Sequence, residues 1–388
     1  MSFKASPWNR LRGPGGDGDA SEILPPDLKS VKWSISFTGS GHASLVEEGG
    51  RWFTCAADAA TKQHLVHCID SSKRRVAWTI KTAFTPYHRH EFNTYASATP
   101  VVGPKGGVVI APSMSGNIQA FGFSLDGNKT WTLELGRFPT MHGFGASPSI
   151  VGTTAVIAAE PDFAMGGILA VDIITGKLKW HHKRMSADAP YATPLITKLS
   201  GRDAVIVPST AYGLTALDVF TGEVIWQLEK TPFTQRCVGA VTRNGNTLIV
   251  TTGSGAGARL AIGFDISKAG PPVQIWSLTR ATSYVPTPLT INDDTIFWGD
   301  NGVVLRVSSS TGTPVYQERI SSDTFASPVR MQNAILNITR KGEVVRISDS
   351  VKPGVPATLQ LGEESHSTLC VFGNQVVART LSKVHVLA

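Results

Sequence analysis

The sequence predicts an all-β chain folded as an eight-bladed β-propeller of four-stranded antiparallel blades, closed by an N-terminal strand that joins the C-terminal blade. Three observations carry that prediction. Trp78, Trp131, Trp180, Trp226 and Trp276 recur at spacings of 53, 49, 46 and 50 residues, and self-similarity at this period is the mark of a ring or stack of copied units. Each Trp follows a common phrase, clearest in Leu169-Ala-Val-Asp-Ile-Ile-Thr-Gly-Lys-Leu-Lys-Trp180 and Thr215-Ala-Leu-Asp-Val-Phe-Thr-Gly-Glu-Val-Ile-Trp226. A second landmark, a small residue and a Ser/Thr-Pro step, opens an apolar run once per unit.

Within the first phrase an apolar strand ends at the Asp, Thr-Gly makes the turn, and Trp opens the next strand. Glycine suits that turn because tight hairpins call for positive φ. The phrase fades along the chain, with Ser308 for the Asp and Tyr316 for the Trp, and a fainter copy near Val345-Arg-Ile-Ser348.

The second landmark appears as Ala98-Thr99-Pro100, Ala146-Ser147-Pro148, Ala192-Thr193-Pro194, Pro286-Thr287-Pro288 and Ala326-Ser327-Pro328. Weaker forms stand at Ser44, Gly239 and Thr368. Those eight positions lie 40 to 55 residues apart and give eight units; seven would leave one landmark orphaned. The chain ends at Val384-His-Val-Leu-Ala388, before a Thr-Gly turn and Trp, whereas Val31-Lys-Trp33-Ser-Ile-Ser-Phe37 is a Trp-led strand with nothing before it. Pairing the two closes the ring and hides two sheet edges. Residues 1–30 then form a strap, and residues 31–388 the propeller.

Bulk composition excludes several classes. No stretch approaches the roughly 20 apolar residues that span a bilayer. The 36 Lys and Arg against 29 Asp and Glu give a net charge of +7, but they are scattered, and the densest run, Lys73-Arg74-Arg75, lies in a turn. Nucleic-acid binding, which wants a concentrated stripe, is not expected. Cys55, Cys68, Cys237 and Cys370 have no metal spacing. Cys55 and Cys68 fall on neighbouring strands, where a bridge is the alternative to buried thiols. Met1-Ser-Phe-Lys-Ala-Ser-Pro-Trp8 lacks the apolar core of a secretory signal, leaving a cytoplasmic protein or a processed form with an added start methionine. Gly15-Gly-Asp-Gly-Asp19 hints at a calcium loop but lacks alternating oxygen donors and a closing Glu, so a flexible strap is expected.

The Ala-x-Asp-x-x-Thr-Gly-x-x-x-Trp phrase resembles the tryptophan-docking repeat of the PQQ-like, or quinoprotein-type, β-propellers, over nearly the whole chain from Trp33 to Ala388. Within that superfamily the chain is similar to the non-enzymatic BamB-type branch. It is similar also to planctomycete-type PQQ-like repeat proteins, whose leader is matched by Trp8-Asn-Arg-Leu-Arg-Gly-Pro-Gly-Gly-Asp-Gly18. The resemblance implies a periplasmic or otherwise exported location and a binding or scaffolding role. It does not imply bound PQQ. The dehydrogenases of the superfamily clamp PQQ with adjacent cysteines over a Trp and add a metal held by Glu, Asn and Asp, and this chain has no adjacent cysteines and no matching acidic cluster.

In a propeller, ligands commonly sit where the innermost strands begin, so residues just ahead of the Ser/Thr landmark should ring a channel mouth. Two places before it stand His42, Tyr191, Phe325 and His366; slightly earlier come His90, Asn93, Tyr95, His142, Arg236, Tyr284 and Glu364. His42 and His366 hold equivalent positions on units that become neighbours when the ring closes. Converging imidazoles can ligate Zn²⁺, Mn²⁺ or Fe²⁺ or act as acid and base; they can also simply give a polar mouth its hydrogen bonds. His181 and His182 are adjacent on a strand and face opposite ways, so they belong to the surface.

The expected function is a non-catalytic module that binds a protein or a glycan-type ligand at the mouth, with His90, Asn93, Arg236, Tyr284, Phe325 and Glu364 as contacts and no cofactor. The alternative is a mouth enzyme, a lyase or hydrolase on sugar-like substrates. It would hold a divalent metal (Zn, Mn, Fe or Ca) on His42, His142 and His366, use Tyr95 or Tyr191 as proton donor, and clamp an anion with Arg236.

Overall fold

A computed structural model describes residues 8–388; the opening residues on which the export-signal reading rests lie outside them. Eight sheets, each carrying one blade of four antiparallel strands, follow one another along the chain. Seven are built from consecutive strands. The eighth sets Val31–Ser36 against Lys383–Leu387, with Trp33 opposite Val386 and Ile35 opposite Val384. Closure by the N-terminal strand is as the sequence predicts. The second and third strands of each blade are buried on both faces, so they read as apolar runs such as Val-Val-Ile-Ala at 108–111, whereas outer strands such as Pro314–Arg319 are largely exposed.

One irregularity recurs in the outer strands. The residue before the aromatic is left out of register in seven blades: Ala77, Thr130, Lys179, Ile225, Ile275, Val315 and Lys32 have no partner, while the next residue pairs normally. A bulge adds local twist and re-aims the side chain that follows. Here the following side chain is the aromatic, which in five blades lies opposite a small residue of the third strand, Cys68, Gly122, Ala170, Ala216 or Gly263. At Gly122 a Cβ would come 2.1 Å from the Trp131 indole nitrogen. The indole N–H then reaches the next blade: Trp78 donates to the Leu125 carbonyl, Trp131 to Ile173, Trp180 to Val219 and Trp276 to Ser309.

The Ser/Thr landmark has a structural task. The Ser44 amide donates to the Thr99 hydroxyl, Thr99 to Ser147, Ala240 to Thr287, Thr287 to Ser327, Ser327 to Thr368 and Thr368 back to Ser44, all at 2.8–3.1 Å. Six of the eight blade junctions are thus tied by one hydroxyl each around the axis. Gly239 has no hydroxyl to offer its neighbour.

The leader corrects an expectation, because it is no flexible strap. Residues 8–18 cross the far end of the channel. The Glu47 amide donates to the Trp8 carbonyl, Val102 to Asn9 and Arg330 to Gly18, and Asp19–Ala20 adds a parallel strand to Val329–Met331. Arg12 is 2% exposed and donates to the Pro288 and Pro328 carbonyls of two blades. Gly13 has φ +81° and lies so close to the Trp8 ring that a Cβ would meet it at 2.8 Å. In the Gly-Gly-Asp-Gly-Asp stretch, the Asp17 carboxylate accepts the Asp19 amide rather than facing a cation site. All four cysteines, Cys55 and Cys68 included, are free and buried.

Candidate functional site

The segments joining each outer strand to the next inner strand gather at the end of the channel opposite the leader. They enclose a cavity of about 640 Å³ whose wall carries the landmark hydroxyls and whose far end is Leu11 of the leader. The cavity is therefore a blind cup. Its rim is formed by His42, His90, Phe92, Tyr284, Phe325 and His366, with His142 and Tyr191 on the same wall.

Ring closure brings His42 and His366 together as the sequence predicts. Their rings stack with centroids 4.0 Å apart at 20°. The His366 Nε2 lies 2.8 Å from Glu364 Oε1, outside hydrogen-bond geometry, and His42 Nδ1 is buried without a partner. His142 does not join them. It stacks on His90 at 5.3 Å, and the His90 amide donates to its carbonyl. The set placed within metal-binding distance among the described residues is His42, Glu364 and His366, their donor atoms within 4.8 Å of one another. Glu364 replaces the expected His142.

Burial, then the charges of His366, Arg379, Arg89 and Arg340, hold His42 well below its ordinary pKa. Burial and Arg340 push His366 down to about 4. Burial, with Arg236 and His90, also lowers His142. Tyr284 is pushed up to about 12 by burial, and Tyr191 is raised for the same reason. At neutral pH His42, His142 and His366 are thus neutral imidazoles and Tyr191 and Tyr284 protonated phenols, which are hydrogen-bonding groups and metal ligands rather than charged acids.

Other candidates are placed differently from expectation. Arg236 does not line the cup. Its guanidinium meets Asp162 at 2.6 Å and Asp188 at 3.2 Å, so its charge is neutralised and no anion clamp remains. Burial raises the Asp162 carboxyl, but hydrogen bonds from Arg236 and from the Ala189 and Met141 amides outweigh it and leave it below the usual range. Asp162 thereby pins three connecting segments. Tyr95 also lies outside the cup: its hydroxyl donates to the Tyr87 carbonyl and its ring packs on Phe84. Tyr191 lies in the wall, its hydroxyl 2.5 Å from that of Thr140. Asn93 is a brace, donating to the His142 and Phe144 carbonyls. His181 is exposed and His182 half-buried on an outer strand.

Three participants escape sequence reasoning. Phe92 stands edge-on to Phe325 at 5.5 Å and to His366 at 6.4 Å, and Arg340 lies 4.0 Å over the Phe92 ring. Asp300 accepts the Tyr284 and Val285 amides and fixes the opposite rim. Phe92 belongs to an irregular segment and Arg340 and Asp300 to loops between second and third strands, where the repeat leaves no landmark.

A family model described as "Outer membrane protein assembly factor BamB" matches residues 142–318. The matched segment covers less than half of the chain, whose repeats are similar to those of PQQ-like propellers. Proteins of that same description include one from Moranella endobia (strain PCIT), 26% identical over 252 residues, covering 63% of this chain and 60% of that protein, so the match spans less than two thirds of that relative's length. Another, from Yersinia pestis, is 25% identical over 333 residues, covering 83% of this chain and 76% of the relative. Among solved structures, BamB from Moraxella catarrhalis superposes with a TM-score of 0.66 at 16% identity, over 92% of this chain and 96% of that one. The quinohemoprotein alcohol dehydrogenase of Comamonas testosteroni gives 0.61 at 12%, over 98% and 80%. At such identities these two likenesses speak for the fold alone. No helix among the described residues is long and apolar enough to cross a membrane.

Proposed function

We propose that this protein is a non-catalytic binding propeller that takes a protein partner at the mouth of its channel and serves as a scaffold in the cell envelope. The observation that carries this reading is the blind cup: the leader stops the channel at Leu11, leaving one recess rimmed by aromatic and imidazole rings. A recess with a few aromatic anchors and a polar rim is what a hot spot inserts into. The matched relatives, named as factors of outer-membrane protein assembly, support a protein partner and an envelope location.

A glycan-type ligand is the second reading, favoured by the ring faces of Phe92, Tyr284 and Phe325 beside the hydroxyl-lined wall. The mouth enzyme has less in its favour, because Arg236 is neutralised, Tyr95 is outside the cup and His142 is away from the His42–His366 pair. Bound PQQ does not fit this donor set: no tryptophan lines the cup, and the sequence has no adjacent cysteines to clamp the cofactor.

The test is site-specific photo-crosslinking in a cell-envelope extract, with the photoreactive residue at Phe325 on the rim or at Val351 in a turn at the opposite end. The expected result is a discrete adduct from position 325 and none from 351. Adducts only from 351, or none from 325, would overturn the reading.

A further inference from the structure

The seam where the ring closes carries an arrangement that docking does not require. We propose that His42, His366 and Glu364 form a binding site for one divalent transition-metal ion of the zinc type, open on the side of the cup. His42 precedes the inner strand of the first blade, and His366 and Glu364 precede that of the closing blade, so the site exists only in the closed ring. Their donor atoms already lie within 4.8 Å of one another, and a shared ion would draw them in to zinc–ligand distances of roughly 2.0–2.2 Å.

One buried nitrogen marks the site beside that clustering. His42 Nδ1 has no hydrogen-bond partner, while His366 Nε2, on a side chain 5% exposed, lies 2.8 Å from Glu364 Oε1 outside hydrogen-bond geometry. An unpaired buried polar atom is costly, and a cation shared by the stacked rings and the carboxylate would satisfy it. Two imidazoles and one carboxylate are the donor set of open zinc sites, in which the remaining positions take water or a ligand oxygen.

The surroundings narrow the choice of ion. Arg89, Arg340 and Arg379 all act on His42 with positive charge, and Glu364 is the one carboxylate in the set. A hard cation such as Ca²⁺ or Mg²⁺ wants several oxygens and finds one; an ion that bonds well to imidazole is preferred. The same arginines favour an anionic oxygen at the open position, such as a carboxylate of the bound partner. The site goes beyond the docking reading, and it stands whether the cup takes a protein or a glycan.

The test uses the tag-free full chain, stripped with a chelator and titrated with Zn²⁺ by calorimetry. The wild type should bind one equivalent. His42→Gln and Glu364→Gln should each weaken binding by more than about 100-fold, since even losing an outer-shell partner costs 10–100-fold, while His88→Ala in an exposed segment should leave it unchanged. Cobalt(II) should give the intense visible bands of a low-coordinate site in the wild type and lose them in Glu364→Gln. Because the Glu364 side chain is 47% exposed, that variant folds even if His42→Gln does not. Absence of stoichiometric zinc binding, or equal affinity in Glu364→Gln, would overturn the site. Crosslinking from position 325 needs no metal, so the two proposals fail separately.

Discussion

The least forgiving residues lie among the blades, away from the cup. Arg184 and Glu160 form a two-pronged ion pair at 2.7 and 2.8 Å with side chains 3% and 0% exposed, and Thr215 accepts a third hydrogen bond from the guanidinium. Breaking a buried pair on one side strands a charge, so Glu160→Gln should lower stability by about 3–5 kcal/mol in urea unfolding. A loss below ~1 kcal/mol would mean that water reaches the guanidinium.

Buried histidines away from the mouth add to the pH response of His42, His142 and His366. Burial pushes His64 from 6.5 down to about 3, and likewise His67 and His385 to about 4. His67 sits near Arg379 and Lys81, and His385 near Glu363 and Lys383. These imidazoles stay neutral in the folded chain, whereas the unfolded chain protonates them below about pH 6.5. They therefore take nothing from stability above that pH. As the pH falls from 6.5 toward 4 each erodes stability by up to ~1.4 kcal/mol per pH unit. Urea midpoints should be level from pH 7.5 to 6.5 and decline steadily below. A midpoint unchanged down to pH 5 would contradict the buried, neutral assignment.

At the scale of the element, the landmarks visible in the sequence prove to be junctions between blades. Thr-Gly and Trp could be read because each makes the same contact in blade after blade, and repetition is what a single sequence can display. The hydroxyl ring was equally visible as Ser/Thr-Pro, but its partners, one blade away, were not. Ser327→Ala removes the acceptor of the buried Thr287 amide and should cost about 1–3 kcal/mol. Thr193→Ala, whose hydroxyl makes no such tie, should cost less, and equal losses in denaturant melts would deny the ring its role. The candidate site was only half legible for the same reason. His42 and His366 occupy a repeated position and were found. Phe92, Arg340 and Asp300 lie in segments that differ from blade to blade, and Arg236 looked free because Asp162 and Asp188 are distant in sequence.

For the whole molecule, closure and plugging both fall to the N-terminal residues. The strand Val31–Ser36 completes the last blade and Arg12 spans two blades beneath the channel. Arg12→Ala takes a donor from the Pro328 carbonyl and leaves the Pro288 carbonyl to the Thr242 hydroxyl alone, and Gly13→Trp cannot fit over Trp8; both should loosen residues 8–18 and speed their amide hydrogen exchange without unfolding the blades. Exchange unchanged in both variants would show that the leader is held by other contacts. The leader's sequence, Trp-x-x-x-Arg-Gly-Pro, could be recognised as a pattern, but its position across the channel follows only from contacts with blades that lie up to 316 residues away.

The blind cup as a binding mouth is the claim on which the functional account stands, and filling it tests that claim most directly. Gly145 lines the cup, and a Cβ there would meet nothing nearer than Tyr191 Cδ1 at 3.8 Å. Gly145→Trp should therefore occupy the recess while the propeller melts within about 0.5 kcal/mol of wild type, as substitutions free of strain do. The measurement is quantitative capture from a cell-envelope extract by immobilised wild type and by Gly145→Trp. Loss of a partner that the wild type retains is the predicted result. An identical set of partners on the filled variant would contradict the account and move binding to the outer faces of the blades.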